Sequence, residues 1–418
     1  MRVTLLLLLS SFSILSSCQN SQEHLISLIK NHYANFYVNG SDHKKRTLKK
    51  LENYLLTHPL NEKNEGEISS ILNEFNDGHL ILKNTKKKNP IKQSDLTFIP
   101  GSFHLVSCEN SCLPSVAVGK YEIVEVDGLP FKVWLSANEG KVAASSPWGR
   151  TFRTSRLLIS NGKNEQLKLK LKNSKGETLD TNLRYTEYEH PLNKCIEGIR
   201  FNKSNYYLKI KTLWCEKEND EITKNYRAEW DRVTSEIKKS DKIIIDLRSN
   251  NGGDDLEVVY SLNSFLKSPV LLSRFQFLTL NLPGKLNKLL HLLPFPFSLW
   301  AKMELEMTDE RVMPKNVFYD NPIRVLISAG CFSSCETFAS VLKVQKRAQL
   351  IGTRTHGGAG DPIMFPIAHS SYVINLPTSI AWQSNGELFE GVGVKPDLLR
   401  EDKLSFPGDS LLDEAISN

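Results

Sequence analysis

The chain contains no Cys-x-x-Cys pair and no His-Glu-x-x-His, so neither common zinc signature is present. No metal and no cofactor are expected. Beyond its first residues it has no apolar run long enough to cross a bilayer as a helix. Its basic clusters, Lys44-Lys45-Arg46 and Lys86-Lys87-Lys88, have no aromatics among them and lie in polar, turn-rich stretches. No nucleic-acid motif accompanies them, so nucleic acid is set aside as a partner. They read as solvated faces that favour anionic surfaces, and the net charge of +6 over 418 residues is modest. With 40% hydrophobic and 24% charged residues the composition is that of an ordinary globular protein. The length implies two or more structural units.

The amino terminus is different. Met1-Arg2 opens a short n-region, and Leu5 to Leu9 with Phe12, Ile14 and Leu15 form an apolar core too short to span a membrane stably. It closes on Leu15-Ser16-Ser17-Cys18, which resembles a bacterial lipobox; an ordinary secretory signal is the alternative. The expectation is a signal peptide over 1–17, removed to leave a lipid on Cys18. Gln19 does not signal inner-membrane retention, so the expected location is the periplasmic face of the outer membrane.

Six further cysteines remain, and an exported chain permits disulfides. Cys108 and Cys112 flank a short turn and are expected to close a small loop. Cys195 is compatible with pairing to Cys215. Cys331 and Cys335 flank the corner described next, where a bond would strain the backbone; both are expected free and partly buried.

That corner is Gly330-Cys331-Phe332-Ser333-Ser334-Cys335-Glu336. It follows an apolar strand pattern, Ile323 to Ile327, and precedes a helical pattern with Phe338, Val341 and Leu342 on one side. Ser333 is thereby placed at a strand-to-helix turn over a helix N-terminus, where unpaired N–H groups can stabilise an oxyanion. Ser333-x-x-Glu336 also fits a capping box, a purely structural helix start. Three other segments bear on the choice. Asp246-Leu247-Arg248-Ser249-Asn250-Asn251-Gly252-Gly253 ends a strand in a turn whose glycines let backbone N–H groups approach a ligand. Asn73 to His79 ends a helix in Asp77-Gly78-His79. Glu390-Gly391-Val392-Gly393-Val394-Lys395-Pro396-Asp397 offers a carboxylate in a rigid loop.

Together, and in this order, these four segments resemble peptidase family S41, in its tricorn-like branch. The resemblance covers most of the chain and is best from about 200 to 400. It implies Ser333 as nucleophile, His79 as general base, Glu390 as the carboxylate that supports the base, and an oxyanion hole from Gly252 or Gly253 with Ser334. A serine needs a base to take its proton, histidine titrates near neutrality, and a carboxylate fixes the imidazole's tautomer. Where the C-terminal-processing branch carries a lysine base, this chain has Gly358; where the tricorn-like branch can carry a relay serine, it has Gly78. His356, in the glycine-rich loop after the corner, is the rival base.

The expected architecture is α/β, α+β overall. A signal peptide (1–17) and a helical segment (18–78) come first. A β-rich module (79–195) follows, PDZ-like or a plain spacer, with strand and turn at Gly119 to Gly128. A catalytic domain (196–405) completes it, for which the resemblance implies a ClpP/crotonase-like fold. The apolar 289–300 stretch packs, lines a groove or lies on a membrane. The expected function is serine endopeptidase on peptide or protein substrates. The alternative is a non-catalytic binding module on the same fold for a hydrophobic ligand or peptide.

Overall fold

A computed structural model describes residues 20–38, 41–87, 92–94, 96–107, 120–159, 166–183, 185–187, 195–202, 204–215, 222–280, 303–313, 319–406 and 408–417. Cys18, the Cys108–Cys112 pair and the 289–300 stretch lie outside these residues. No helix among them is long and apolar enough to cross a membrane.

Three helices open the chain: α1 (Ser21–His32), α2 (Ser41–Leu55) and α3 (Glu65–Asn73). Asn20 caps α1 by accepting the Glu23 N–H at 2.9 Å, and Lys30 and His32 lie in its last turn, where the dipole favours them. The expected stripes, Leu48, Leu51 and Leu55 on α2 and Ile68, Ile71, Leu72 and Phe75 on and after α3, are all buried. They bury against Leu80, Leu82, Phe365, Ile374 and Leu376. The last three belong to a hairpin much later in the chain. The helical segment therefore shares a core with that distal hairpin, separate from the core of the six-stranded sheet.

After β1 (Ile81–Asn84), which pairs with a strand far downstream, the β-rich stretch has a short antiparallel pair, β2 (Lys92–Ser94) with β9 (Tyr185–Glu187). Its main sheet runs β3 (Leu96–Phe98), β4 (His104–Ser107), β5 (Lys120–Val126), β7 (Leu167–Lys172), β8 (Thr178–Leu183), with β6 (Leu129–Pro130) on β5. The expected turn at Asp127-Gly128 has both residues at positive φ (50° and 77°), the signature of a tight hairpin. Helices α4 (Phe131–Asn138) and α5 (Pro147–Arg156) follow, α5 with Ser146 as cap and Pro147 in its first turn.

The distal domain is a six-stranded sheet in the order β10 (Ile196–Arg200), β11 (Asn205–Ile210), β12 (Lys242–Asp246), β15 (Ile323–Ile327), β16 (Gln349–Gly352), β20 (Leu398–Leu399). All neighbours are parallel except β10–β11. Helices α6 (Ile222–Ile237), α7 (Asp255–Leu262) and α8 (Ser334–Val344) share one hydrophobic core with one face. Helix α9 (Ser410–Ser417) covers Tyr207, Ile244, Leu326 and Ile351 on the other. Both faces being covered explains why Ile243 to Ile245 and Val325 to Ile327 are continuous apolar runs. Strands β13 (Val270–Leu280), β14 (Met303–Val312) and β19 (Ser379–Gln383) form a second sheet. A third contains β17 (Pro362–Pro366) and β18 (Tyr372–Pro377), with β1 antiparallel to β18 from Ile81 opposite Asn375. That pairing starts two residues after His79.

A buried ion triad closes the sheet. Arg248 is fully buried and reaches Asp246 through Nε and Nη2 (2.9 and 2.7 Å) and Asp409 through Nη1 and Nη2 (2.9 and 2.5 Å). Arg248→Met would leave two buried carboxylates uncompensated. The expected cost is about 3–5 kcal/mol, read as a lowered urea midpoint at unchanged slope.

Two expectations need correcting. Lys44 is not on a solvated face: it is buried, its Nζ donates to the Asn35 carbonyl at 3.2 Å, and it lies 5.6 Å from the Tyr33 ring centre. Cys331 and Cys335 are neither free nor partly exposed; both are fully buried and joined in a disulfide. The chain reverses at Ser333, whose φ is +60°, and this brings their Cα atoms to 5.5 Å, inside the range a disulfide spans. Cys195 and Cys215 are bonded, as the sequence allowed.

Candidate active site

Strands β12 and β15 are parallel neighbours with Asp246 opposite Leu326, so the loops leaving their carboxyl ends emerge side by side. The Phe332 N–H donates to the Asn250 carbonyl at 3.1 Å, and Ser328 Oγ to the Arg248 carbonyl at 2.6 Å. The glycine turn and the serine corner are thus stitched together. Every residue from Val325 to Leu342 is buried except Ser333. It is a half-buried side chain on a left-handed, non-glycine backbone (φ 60°, ψ −132°), a conformation that costs free energy and that the surroundings hold in place.

Ser333 and Glu336 do stand as a capping box. Its firm half is Ser333 N–H to Glu336 Oε2 at 3.3 Å, because the Glu336 N–H goes to the Ser333 carbonyl at 2.7 Å. Glu336 is fully buried and also accepts from Thr355 Oγ1 and the N–H groups of Gly357 and Gly358. Burial pushes its carboxyl up to about 7 against those donors. The helix start is therefore also a clamp between the serine corner and the loop after β16.

On the other side lies Gly252, at φ +94°. A Cβ there would sit 2.6 Å from the Phe332 carbonyl oxygen and 2.7 Å from Ser333 Cβ. Its N–H is held by Asn250 Oδ1 at 2.8 Å. Gly253 follows, locked by Ser334 Oγ donating to its carbonyl at 2.8 Å.

His79 arrives from the N-terminal segment. Asn76 turns the chain at φ +53°. Asp77 Oδ1 accepts the His79 N–H (2.9 Å), while its Oδ2 accepts from Tyr33 Oη (3.0 Å) and Asn35 Nδ2 (2.6 Å). Asn375 Nδ2 donates to the His79 carbonyl at 2.9 Å. The imidazole stacks on Phe332, the residue preceding Ser333, with ring centres 4.2 Å apart. Its Nδ1 is buried without a hydrogen-bond partner. Burial lowers its pKa to about 4, with the nearby Asp77 opposing.

Glu390 follows Phe389 in the loop after β19, and that loop bonds to the 355–357 segment through Gly391 N–H to the Gly357 carbonyl at 2.8 Å. Both Glu390 carboxylate oxygens are buried and unpartnered. Burial first, then Asp77, pushes its pKa well above the usual carboxylate value; Lys44 and the nearby Ser145 hydroxyl oppose this. Arg153, on α5, donates to the Gly78 and Ala143 carbonyls and lies over the Phe332 ring at 4.4 Å. Burial lowers its pKa to about 10, opposed by the charges of Glu336, Asp77 and Glu390.

His356 is fully committed elsewhere. Its Nδ1 faces the Ala329 carbonyl at 3.1 Å, its Nε2 accepts the Ser145 N–H at 3.4 Å, and its N–H donates to the Cys331 carbonyl. A Cβ on Gly149 would lie 2.6 Å from its ring.

Phe332 also explains Gly78. A Cβ at that position would lie 2.9 Å from the Phe332 ring and 3.1 Å from Arg153 Nη1, so no serine fits there. The residues that sequence reasoning missed are Lys44, Ser145, Arg153 and Phe332. No motif marks Lys44, Ser145 or Arg153, which reach the site from elements distant in sequence; Phe332 lies inside the serine corner, but its part in the site is set by the His79 and Arg153 side chains that pack on it.

Residues 206–399 match the family model of peptidase family S41. A segment of 109 residues, 24% of the chain, is 33% identical to a protein of Chlamydia trachomatis serovar D, and 85 residues, 20% of the chain, are 31% identical to the carboxy-terminal-processing protease of Bartonella bacilliformis. The matches span 18% and 19% of those relatives. The structure of mature CPAF complexed with lactacystin superposes with a TM-score of 0.65 at 18% identity, covering 98% of this chain and 97% of that one. The mixed α/β fold is shared along the whole length.

Proposed function

Since the chain belongs to peptidase family S41, we propose that it is a serine endopeptidase in which Ser333 is the nucleophile and His79 the general base. The observation that carries this is the solvent access of Ser333 alone within an otherwise buried corner, with the His79 ring against the preceding residue. In the proposed reaction Ser333 Oγ attacks a peptide carbonyl and its proton passes to His79. The imidazolium returns that proton to the leaving amine, and water, activated by His79, releases the acyl group. Glu390 supports the imidazolium. The oxyanion faces the N–H groups of Ser334 and Gly253, because the Gly252 N–H is already engaged by Asn250.

The covered parallel sheet supports a ClpP/crotonase-like reading of 196–405, and the β5–β6 hairpin a PDZ-like reading of 79–195. Export with a lipid on Cys18 is proposed from the Leu15–Cys18 motif; incorporation of an alkynyl fatty acid that survives Cys18→Ala would rule it out.

The test is labelling of the 19–418 protein by a fluorophosphonate, with the modified residue found by mass spectrometry. Modification of Ser333, absent in Ser333→Ala, is expected. A folded protein that does not react would favour the ligand-binding alternative. The pH dependence follows from the lowered pKa of His79. A histidine depressed to about 4 stays neutral, and competent as a base, far below 6.5. The labelling rate should therefore hold between pH 8 and 6, with its acid limb closer to 4. The same sign applies to folding: the unfolded histidine takes its proton near 6.5, so this group's contribution to stability is present above 6.5 and lost as pH falls toward 4.

A further inference from the structure

We propose that Ser145 is the positioning residue that couples Glu390 to His79, its hydroxyl accepting from His79 Nδ1–H and donating to the Glu390 carboxylate. The inference rests on the assignment of Ser333 and His79 above. Three buried groups carry it. His79 Nδ1 has no partner, and neither Glu390 oxygen has one, although each residue is only 7% exposed. Unsatisfied polar atoms at that depth are costly; the chain has others, but these three belong to the two side chains that have to communicate.

Ser145 is bonded to the residue before one and lies beside the other. It is buried in the segment just ahead of α5, and its Oγ accepts the Gly78 N–H at 2.8 Å, one residue before His79. Its hydroxyl is close enough to Glu390 to favour the ionised form, though not yet aligned as a hydrogen bond. Its backbone is fixed by the donation of its N–H to His356 Nε2 at 3.4 Å. The space is kept clear on purpose of packing: a Cβ on Gly358 would lie 2.5 Å from Ser145 Oγ and 2.4 Å from the Phe332 ring.

The neighbouring carboxylate cannot take the role. Asp77 Oδ1 is held by the His79 N–H and Oδ2 by Tyr33 and Asn35, so Asp77 shapes the turn. Position 78 cannot supply a hydroxyl, because Phe332 occupies the place of its side chain. A serine hydroxyl accepts two hydrogen bonds and donates one. Gly78 N–H and His79 Nδ1–H would fill the acceptor sites, and Glu390 the donor. Such bonds are commonly loose without substrate and tighten in the complex. In the step itself the O–H bond of Ser333 breaks and an N–H bond forms on His79. No proton leaves Ser145; its dipole carries the stabilisation from carboxylate to imidazolium.

The test is the pH profile of the fluorophosphonate labelling rate for the wild type, Ser145→Ala, Ser145→Thr, Glu390→Gln and Ser145→Ala/Glu390→Gln, each with its melting temperature. Ser145→Ala should slow labelling about 5- to 100-fold, the range that coupled pairs span, and move the acid limb; Ser145→Thr should recover most of the rate. The double variant should be no slower than Glu390→Gln alone. Multiplying effects of the two substitutions, or an unshifted pH profile in Ser145→Ala, would overturn Ser145's role while leaving the nucleophile in place. Should Ser145→Ala not fold, Ser145→Cys, of similar size but a weak donor, is expected to show the same loss. An unreactive wild type would overturn the active site itself, a result distinct from either.

Discussion

Ser333→Ala is expected to lower kcat on an unfolded protein substrate, such as fluorescein-labelled casein, by about 10⁶-fold, and adding His79→Ala should cost almost nothing more. The reasoning is that the two act as one unit. Without the hydroxyl there is no proton for the imidazole to remove, so the second deletion has nothing left to disable. His79→Ala alone should approach the same floor. Its fold should persist, because the turn that carries it is held by backbone bonds to Asp77, Ser145, Arg153 and Asn375 that do not use the ring. What residual rate remains would come from binding and the oxyanion site. A double variant far slower than either single one would mean that Ser333 and His79 serve different steps, and the proposed pair would fall.

The second large effect is at Gly252→Ala. The new methyl group would meet the Phe332 carbonyl oxygen at 2.6 Å and Ser333 Cβ at 2.7 Å, both belonging to the corner it must leave undisturbed. The residue is also at φ +94°, where alanine is strained. Something has to move, and the least constrained direction is apart, widening the gap between the turn and Ser334 N–H. Loss of one oxyanion donor costs about 10²- to 10³-fold in kcat, so at least that is expected, with a fall in melting temperature alongside. The informative comparison is Gly128→Ala. It is also at positive φ (77°) but has open space around it, so it should cost some stability and no activity. If Gly252→Ala retained full activity, the turn could not be the wall of the oxyanion site.

How much of this was legible beforehand follows from the range of the forces involved. Strand β15 over Ile323–Ile327 and the buried stripes of α2 and α3 were readable because periodic burial repeats within a few residues. The four motifs were readable because each needs its own backbone: a glycine at a close approach, a turn before a histidine, a serine over a helix start. Lys44 was misread. A basic triplet looks solvated, and only the Tyr33–Asn35–Asp77 cluster, brought in by folding, gives that lysine an acceptor and a nearby carboxylate. The Cys331–Cys335 bond was misjudged for a related reason. The left-handed turn at Ser333 that brings the two together is imposed by the loops on either side of the corner, through Asn250 and Gly358.

What could be read from the chain alone is the pieces: the residues proposed to carry the chemistry, the strand before Ser333 and the helix after it, and the glycines that let backbones touch. Those are local matters of conformational preference and of residue type. The tertiary structure alone decided the site. Only β1 pairing with β18 fixes the turn bearing His79 against a strand nearly 300 residues downstream, only parallel β12 and β15 set Gly252 against Ser333, and only the fold commits His356 to Ala329 and Ser145. Contacts between such distant residues have no signature in local pattern, because they exist only once the core has excluded water and every buried donor has had to find its acceptor.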